Sequence, residues 1–232
     1  MGKRIIQQAR GKGSSTYRVN KTVFRYRLKY PKNVEGEGKV IRFIDSGAHT
    51  CPVAKVLWGN EVFYIPAFKN MIEGQKIFFG NVEAKEGNIL KLKYAPVKTK
   101  VYLVESRPGD GGKYIRSGGT FATVSRVSEN EVALLMPSKK EKRFNPDVRA
   151  IVGVIAGAGR KEKPILKAGK MFHIKKTKSK LWPRTSALKV NSIDHPFGSG
   201  RGKNPKSKIA KRNAPPGAKV GLIRPRRTGK RK

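Results

Sequence analysis

Positive charge is concentrated at the two ends of this 232-residue chain. Residues 1–34 contain ten Lys/Arg and no Asp or Glu, and residues 163–232 contain twenty-two Lys/Arg and a single acid, Asp194. Residues 35–162 hold twenty-one basic and fourteen acidic side chains. The like charges within each end repel one another, and the ends bury little apolar surface. We therefore expect them to be disordered alone and to become ordered when a polyanion binds. The pattern predicts two basic arms around an ordinary folded middle, with nucleic acid as the first partner to consider.

The number and spacing of the cysteine and histidine residues, and the length of the apolar runs, argue against several classes of protein. A lone Cys51 cannot form an intramolecular disulfide, and His49, His173 and His195 are too scattered for a zinc site. The longest run of small apolar residues, 150–158, is far shorter than the ~20 residues of a membrane-spanning helix. The arms lack the apolar face of a membrane-surface helix. We therefore expect a cytoplasmic protein with no metal site, no cofactor and no membrane partner.

The middle of the chain is predicted to form short strands. Runs of β-branched and aromatic residues occur at 39–44, 53–58, 61–65, 75–79 and 90–94, then at 101–104, 120–127, 131–136 and 151–155. Gly59-Asn60 is a two-residue hairpin signal between the second and third runs. Many short strands, frequent turns and scarcely any helical periodicity predict an all-β chain with two small barrels in tandem.

A glycine-rich stretch, residues 108–120, contains Lys113 and Arg116. Its glycines would let backbone N–H groups approach phosphates closely, and Arg116 would clamp one phosphate with two hydrogen bonds. An exposed hairpin loop kept soluble by its charges explains the same residues equally well. The residues alone leave both interpretations open.

Asp194 and His195 stand inside an arm otherwise made of cations. In a functional interpretation Asp194 holds His195 in one tautomer, which leaves the other ring nitrogen to contact RNA or move a proton. In the simpler one the two residues form a local turn before Pro196, and Phe197 docks the segment. The turn is the better supported alternative. A catalytic triad has less support still, because no nucleophile motif accompanies the pair and a disordered arm cannot preorganise a site by itself.

Trp182 and Phe197 are candidates for stacking on bases, although such aromatics more often pin an extension to its own domain. The clusters at residues 224–227 and 230–232 are phosphate binders by residue type. A solvated tail is the alternative, and so many cations without counter-charge argue against it.

Five motifs in order give the chain a resemblance. They are Pro108-Gly-Asp-Gly-Gly-Lys, Arg116-Ser-Gly-Gly-Thr, Leu166-Lys-Ala-Gly-Lys170, Asp194-His-Pro-Phe-Gly and Arg212-Asn-Ala-Pro-Pro-Gly217. Their order and spacing, behind a basic N-terminal arm, resemble the universal ribosomal protein L two family of the large subunit, in its archaeal and eukaryotic form. The resemblance runs nearly from end to end.

The resemblance implies a domain plan and a role. It implies a basic arm at 1–34, an oligonucleotide-binding (OB) barrel at 35–98, an SH3-like barrel at 99–174 and an extended basic arm at 175–232. It also implies binding to large-subunit rRNA near the peptidyl-transferase region, beside neighbouring ribosomal proteins, with support for subunit association and tRNA placement. His195 matches a family histidine once proposed to assist peptide-bond formation, but RNA is the catalyst there, so no enzyme is expected.

We expect the arms and motifs to supply the RNA-binding residues, with Mg²⁺ bridging rRNA phosphates and no protein-built metal site. These residues are Arg4, Arg10, Lys12, Arg18, Lys113, Arg116, Lys167, Lys170, Trp182, Arg184, Asn191, Asp194, His195, Phe197, Arg201, Lys203, Lys211, Arg212, Arg224, Arg226 and Arg227.

Two stretches depart from the family pattern. Residues 186–191 differ from the usual sequence before the Asp-His-Pro element, and Ser199 replaces a usual glycine. A lost glycine predicts a less close approach of backbone to RNA, for which the charge of Lys189 would compensate.

Two other functions fit parts of the sequence. A histone-like protein that compacts DNA would have the same charge. A hydrolase using Asp194 and His195 would need a positioned nucleophile or metal that the sequence does not offer.

Overall fold

The computed structural model describes residues 3–33, 35–80, 83–195 and 197–199. The chain divides into two compact units. The sheet unit is Val19–Lys178, and the arm unit combines Met1–Arg18 with Ser179–Lys232.

The sheet unit is built on one sheet, which has ten strands among the described residues. Its order is β3-β2-β1-β4-β5-β10-β6-β7-β8-β9, and neighbours are antiparallel except β4 and β5. The strands are β1 Gly36–Ile44, β2 Val53–Trp58, β3 Glu61–Pro66, β4 Lys76–Phe79, β5 Ile89–Lys91, β6 Lys100–Tyr102, β7 Ala122–Val127, β8 Val132–Leu135, β9 Glu141–Phe144 and β10 Arg149–Val152. The all-β expectation is confirmed.

Helical structure is short in the described residues. Helix α1, Ile6–Gly11, lies in the arm unit, and α2, Ala168–Thr177, ends the sheet unit. Single 3₁₀ turns occupy Leu92–Tyr94, Ala158–Lys161 and Ala187–Lys189. The two α-helices lie in or beside the stretches that were expected to be extended arms.

The predicted hairpin at Gly59-Asn60 is confirmed. Strands β2 and β3 pair along their whole length, from Val53 opposite Pro66 to Trp58 opposite Glu61. Gly59 has a φ of 55° at the first central position of the turn. Glycine accepts this positive φ without a steric penalty, so the two-residue turn fixes the register of the pair.

Two apolar cores lie along this sheet. The first includes Val56, Phe63 and Ile65 from the N-terminal strands, and the second includes Val101, Val124 and Leu134. Tyr102 and Ile151, on strands that border the second core, pack into the first. Two cores fit the expectation of tandem barrels, and the boundary at residues 98 and 99 stays a prediction because one sheet runs through it.

The last part of the predicted N-terminal arm is built into the sheet unit. Leu28 and Tyr30 are buried, at 2% and 0% exposure. The Tyr30 hydroxyl donates to the carbonyl of Arg149 at 2.9 Å, and the Lys29 N–H donates to the carbonyl of Tyr64 at 3.0 Å. An arm ending at residue 34 was therefore too long, because charge counting does not detect buried tyrosine and leucine between cations.

Two elements differ from the sequence expectation. The strand expected at 90–94 ends at Lys91 and continues as the 3₁₀ turn, in which the Ala95 N–H donates to the carbonyl of Leu92 at 3.1 Å. Strand β9 was not predicted, since three of its four residues are exposed and charged. Its position follows from pairing with β8.

Candidate nucleic-acid interface

The glycine-rich loop at 108–112 is only partly exposed, because Pro108 is exposed whereas Gly111 and Gly112 are buried. Gly111 has a φ of 78°, and a Cβ there would lie 2.7 Å from the carbonyl oxygen of Tyr30. Its N–H donates to Oε1 of Glu105 at 3.0 Å, while the Gly112 N–H donates to Oδ1 of Asp110 at 3.1 Å. These amides bind carboxylates of the protein itself, so a backbone phosphate cradle at this loop is wrong.

A buried ion pair anchors that loop. Glu105 is fully buried, and its carboxylate accepts from Nη2 of Arg149 at 3.0 Å and from the Arg149 backbone N–H at 2.9 Å. Nη2 of Arg149 also donates to the carbonyl of Pro31 at 3.1 Å. The pair joins the loop, strand β10 and the N-terminal segment. Sequence analysis missed it, because a single Glu and a single Arg far apart in the chain give no local signal.

Lys113 and Arg116 follow this anchored loop in the chain. Nζ of Lys113 is 3.4 Å from Asp110, and 64% of the lysine side chain is exposed. Nη2 of Arg116 donates to the carbonyl of Leu28 at 3.1 Å. Burial, followed by the charge of Arg27, lowers the pKa of the Arg116 guanidinium from its ordinary value. Lys113 is exposed enough to meet a phosphate, whereas Arg116 already supports the fold.

Helix α2 carries the next predicted residues. Lys167 caps its start and Lys170 lies in its first turn, and both are exposed. No residue of α2 is buried. A helix without a buried face gains little from packing on its own protein, so a partner with negative charge would add most to its stability.

In the arm unit, a turn carries the Asp-His element. The backbone N–H of Asp194 donates to the carbonyl of Asn191 at 3.0 Å, and the Ser199 N–H donates to the carbonyl of Val190 at 3.0 Å. The Lys3 N–H donates to the carbonyl of Ile193 at 3.0 Å, which ties the chain's start to this turn. The local-turn interpretation of these residues fits the structure.

The interpretation in which Asp194 orients His195 does not fit. Oδ1 of Asp194 lies 2.8 Å from Nζ of Lys3. Nδ1 of His195 instead accepts the N–H of Phe197 at 3.0 Å, so the neutral imidazole carries its proton on Nε2. The His195 and Phe197 rings are 4.8 Å apart between centroids. Phe197 thus packs on His195, while Trp182 is half-buried.

Five predicted residues meet around one cavity of the arm unit, with a volume of about 420 Å³. They are Arg4, Arg10, Arg184, Asp194 and His195. Lys12 and Asn191 are exposed outside this cavity. Arg18 is also outside it, and its Nε donates to the carbonyl of Gly13 at 2.7 Å.

Seven of the predicted residues lie outside the described part of the chain. They are Arg201, Lys203, Lys211, Arg212, Arg224, Arg226 and Arg227. Their assignment stays a prediction.

No metal or membrane element is found in the described residues. Within 3–33, 35–80, 83–195 and 197–199, no three His, Cys, Asp or Glu side chains are grouped as metal ligands. No helix in the same ranges is long and apolar enough to cross a bilayer.

Comparison with known proteins agrees with the motif resemblance. Residues 85–217 match the family described as "Ribosomal Proteins L2, C-terminal domain". The protein named large ribosomal subunit protein uL2 from Archaeoglobus fulgidus is 45% identical over the full length of both chains. The proteins of that name from Methanococcoides burtonii and Hyperthermus butylicus are 42% and 41% identical, again over both full lengths. The chain therefore belongs to the ribosomal protein L2 (uL2) family, whose members are structural ribosomal proteins and not enzymes.

Proposed function

We propose that this chain is a structural constituent of the large ribosomal subunit in the cytoplasm. It binds and organises large-subunit rRNA near the peptidyl-transferase region and contacts neighbouring ribosomal proteins. Through that position it supports subunit association and tRNA placement. The archaeal relatives, all named as proteins of the large ribosomal subunit, support this assignment.

The observation that carries the proposal is the pairing of charges. In the sheet unit several acids pair with cations of the same unit: Asp147 pairs with Lys93 at 3.0 Å, and Glu131 pairs with Arg126 at 2.9 Å and with Arg143 at 3.3 Å. In the described part of the arm unit the one acid, Asp194, pairs with Lys3. The side chains of Arg4, Arg10 and Arg184 have no carboxylate partner among the described residues. Phosphates are the counter-charge that this surface lacks.

Binding would proceed in two steps: the sheet unit docks on the RNA, and the arms then neutralise RNA phosphates. The rigid sheet unit meets folded RNA by shape and charge, and the cations of the arms then neutralise phosphates that RNA folding brings together. Mg²⁺ ions would bridge the remaining phosphates, because this cation prefers oxygen ligands and is commonly held by phosphates. His195 acts in this scheme as a structural and contact residue.

Salt dependence tests the electrostatic account. If about 6–10 phosphates are contacted, affinity for a folded large-subunit rRNA fragment should fall roughly 10³ to 10⁵-fold between 50 and 200 mM salt. Duplex DNA of equal length, at matched salt, should bind more weakly than the RNA. A complex insensitive to salt would contradict the proposal, and equal affinity for duplex DNA would favour the histone-like alternative.

A matched pair of variants identifies the cations involved. Arg4→Gln with Arg10→Gln removes two charges that have no carboxylate partner among the described residues, and Arg126→Gln with Arg143→Gln removes two charges that both pair with the carboxylate of Glu131. The first pair should lower RNA affinity and reduce the salt slope by about 2, since each phosphate contact that is removed reduces it by about 1. The second pair should change both much less. Equal losses of affinity from the two pairs would mean that overall charge alone, without the arm unit, accounts for binding.

A further inference from the structure

The cavity in the arm unit is lined by both apolar and charged side chains. Its apolar walls come from Ile6 and Ala9 of α1 and from Leu181, Pro183, Ala187 and Val190 of the C-terminal segment. A volume of about 420 Å³ falls in the range of pockets that hold a small ligand. This site therefore has apolar surface that could cover a compact, flat group. A site that only attracted phosphates would not need such a surface.

Three arginines line the same cavity. Arg4, Arg10 and Arg184 are exposed and have no carboxylate partner in the described part of the chain. Asp194, the one acid lining the cavity, is held at 2.8 Å by Lys3. Guanidinium groups around an apolar cavity fit a ligand with an apolar body and negative charge on either side of it.

Polar groups at the cavity could recognise a hydrogen-bonding edge. His195 lines it and, with Nδ1 occupied by the N–H of Phe197, keeps Nε2–H as a donor in the neutral form. Gln7 and Thr185 also line it, and their side chains supply both donors and acceptors. Donors and acceptors beside apolar walls are the features with which proteins hold an unstacked base.

From these features we propose that the cavity takes one unstacked nucleobase of RNA, while the arginines bind the phosphates on either side of it. The inference rests on the proposed RNA binding and deepens it, because it assigns base contact to one site. An acidic peptide would use the arginines but would leave the apolar walls uncovered, so the cavity favours the nucleotide.

The test compares two RNA hexanucleotides, one with all its bases and one with abasic residues throughout, bound to the full-length protein. The unmodified chain should bind the base-containing RNA about tenfold more tightly, given the usual gain from packing one base on a protein. Ala187→Leu fills the cavity without changing charge and should reduce the discrimination to about twofold or less. Its affinity for the abasic RNA should stay unchanged.

Three further variants complete the test, and the first two protect it against misfolding. Ala9→Leu fills the cavity from α1, a different segment of the chain, and should act like Ala187→Leu. Ala168→Leu adds the same side chain at an exposed position of α2 and should keep the full discrimination. Arg184→Gln should weaken binding of both RNAs by similar factors.

The outcomes separate this inference from the proposed function. If both cavity-filling variants keep the full discrimination, the base binds elsewhere and the inference is overturned. The inference is also overturned if an acidic peptide of equal charge competes with the RNA and if Ala187→Leu and Ala9→Leu abolish binding of that peptide. Failure of the unmodified chain to bind either RNA would instead contradict the proposed function itself.

Discussion

Ser199 carries a side chain where the backbone favours glycine. Its φ is 71°, and its N–H donates to the carbonyl of Val190 at 3.0 Å to close the turn that holds His195. A serine in this conformation therefore has a local cost of about 1 kcal/mol, because Cβ approaches the following carbonyl. The backbone keeps the turn even though the residue is unfavourable for it.

Replacing Ser199 by glycine should remove this cost. We expect the protection factor of the residue-199 amide in hydrogen exchange to rise by about two- to fivefold, since local opening becomes less favourable. Ser186→Gly is the matched control, because Ser186 has an ordinary φ of −65°. A protection factor that falls in Ser199→Gly, or rises equally in both variants, would refute the assignment of strain to Ser199.

His49 is a second residue whose surroundings determine its behaviour. Its Nδ1 lies 2.9 Å from Oγ of Ser46, and burial lowers the pKa of its imidazole, with further lowering by Arg116 and Lys178. The unfolded chain therefore takes up the proton first as the pH falls. The contribution of neutral His49 to stability is full above about pH 6.5, the unfolded pKa, and declines below it.

His49→Gln should consequently flatten the pH dependence of the free energy of unfolding between about pH 7 and 5. Urea unfolding at several pH values measures this slope, with His173→Gln, an exposed position on α2, as the control. An unchanged slope in His49→Gln would contradict the account of its burial.

At the scale of elements, the sheet depends on one buried ion pair more than on its many exposed ones. Glu105 and Arg149 join β10 to the glycine-rich loop and to the segment at Pro31. Removal of one partner leaves a buried charge uncompensated, at a cost of about 3–5 kcal/mol. We expect Glu105→Gln to lower the free energy of unfolding by an amount near the low end, because glutamine keeps the shape.

Urea denaturation of the unmodified chain, of Glu105→Gln and of Glu37→Gln measures this effect. Glu37→Gln removes the same charge from an exposed pair with Lys76, at 3.1 Å, and should change stability far less. Equal destabilisation by the two substitutions would mean that the buried network is unimportant.

Strands with one apolar face were predictable from the sequence, and strands placed by pairing were not. The run at 53–58 and the turn at Gly59-Asn60 predicted the bounds of β2 and the hairpin with β3. Strand β9 has no apolar periodicity, and only its pairing with β8 makes it a strand. Likewise, the residues of the cavity come from residues 4–10 and from residues 181–195, which no local pattern connects.

At the scale of the whole molecule, folding and charge are separated along the chain. All ten described strands and both described cores lie before residue 157, whereas residues 200–232 contain thirteen Lys/Arg and no acid. The charge distribution predicted this division from sequence. It did not predict that Tyr30 and Leu28, between cations, belong to the buried interior.

A chain ending at residue 199 tests that separation. Its β-type circular dichroism and its unfolding midpoint should match those of the full chain, because all ten strands of the described residues lie before residue 153. Its affinity for the rRNA fragment should fall, together with the salt slope, in proportion to the number of phosphates that the removed cations neutralise. Loss of the β signal would show that the removed residues are needed for folding.

The central claim is that this chain is a component of the large ribosomal subunit held by its RNA. The most direct measurement is sucrose-gradient sedimentation of a tagged copy in cell extract, at low and then high salt, with the co-purifying RNA identified. The account predicts migration with the large subunit and its rRNA, resistant to moderate salt. Sedimentation with chromosomal DNA, or as free protein, would contradict it and assign the basic arms to another polyanion.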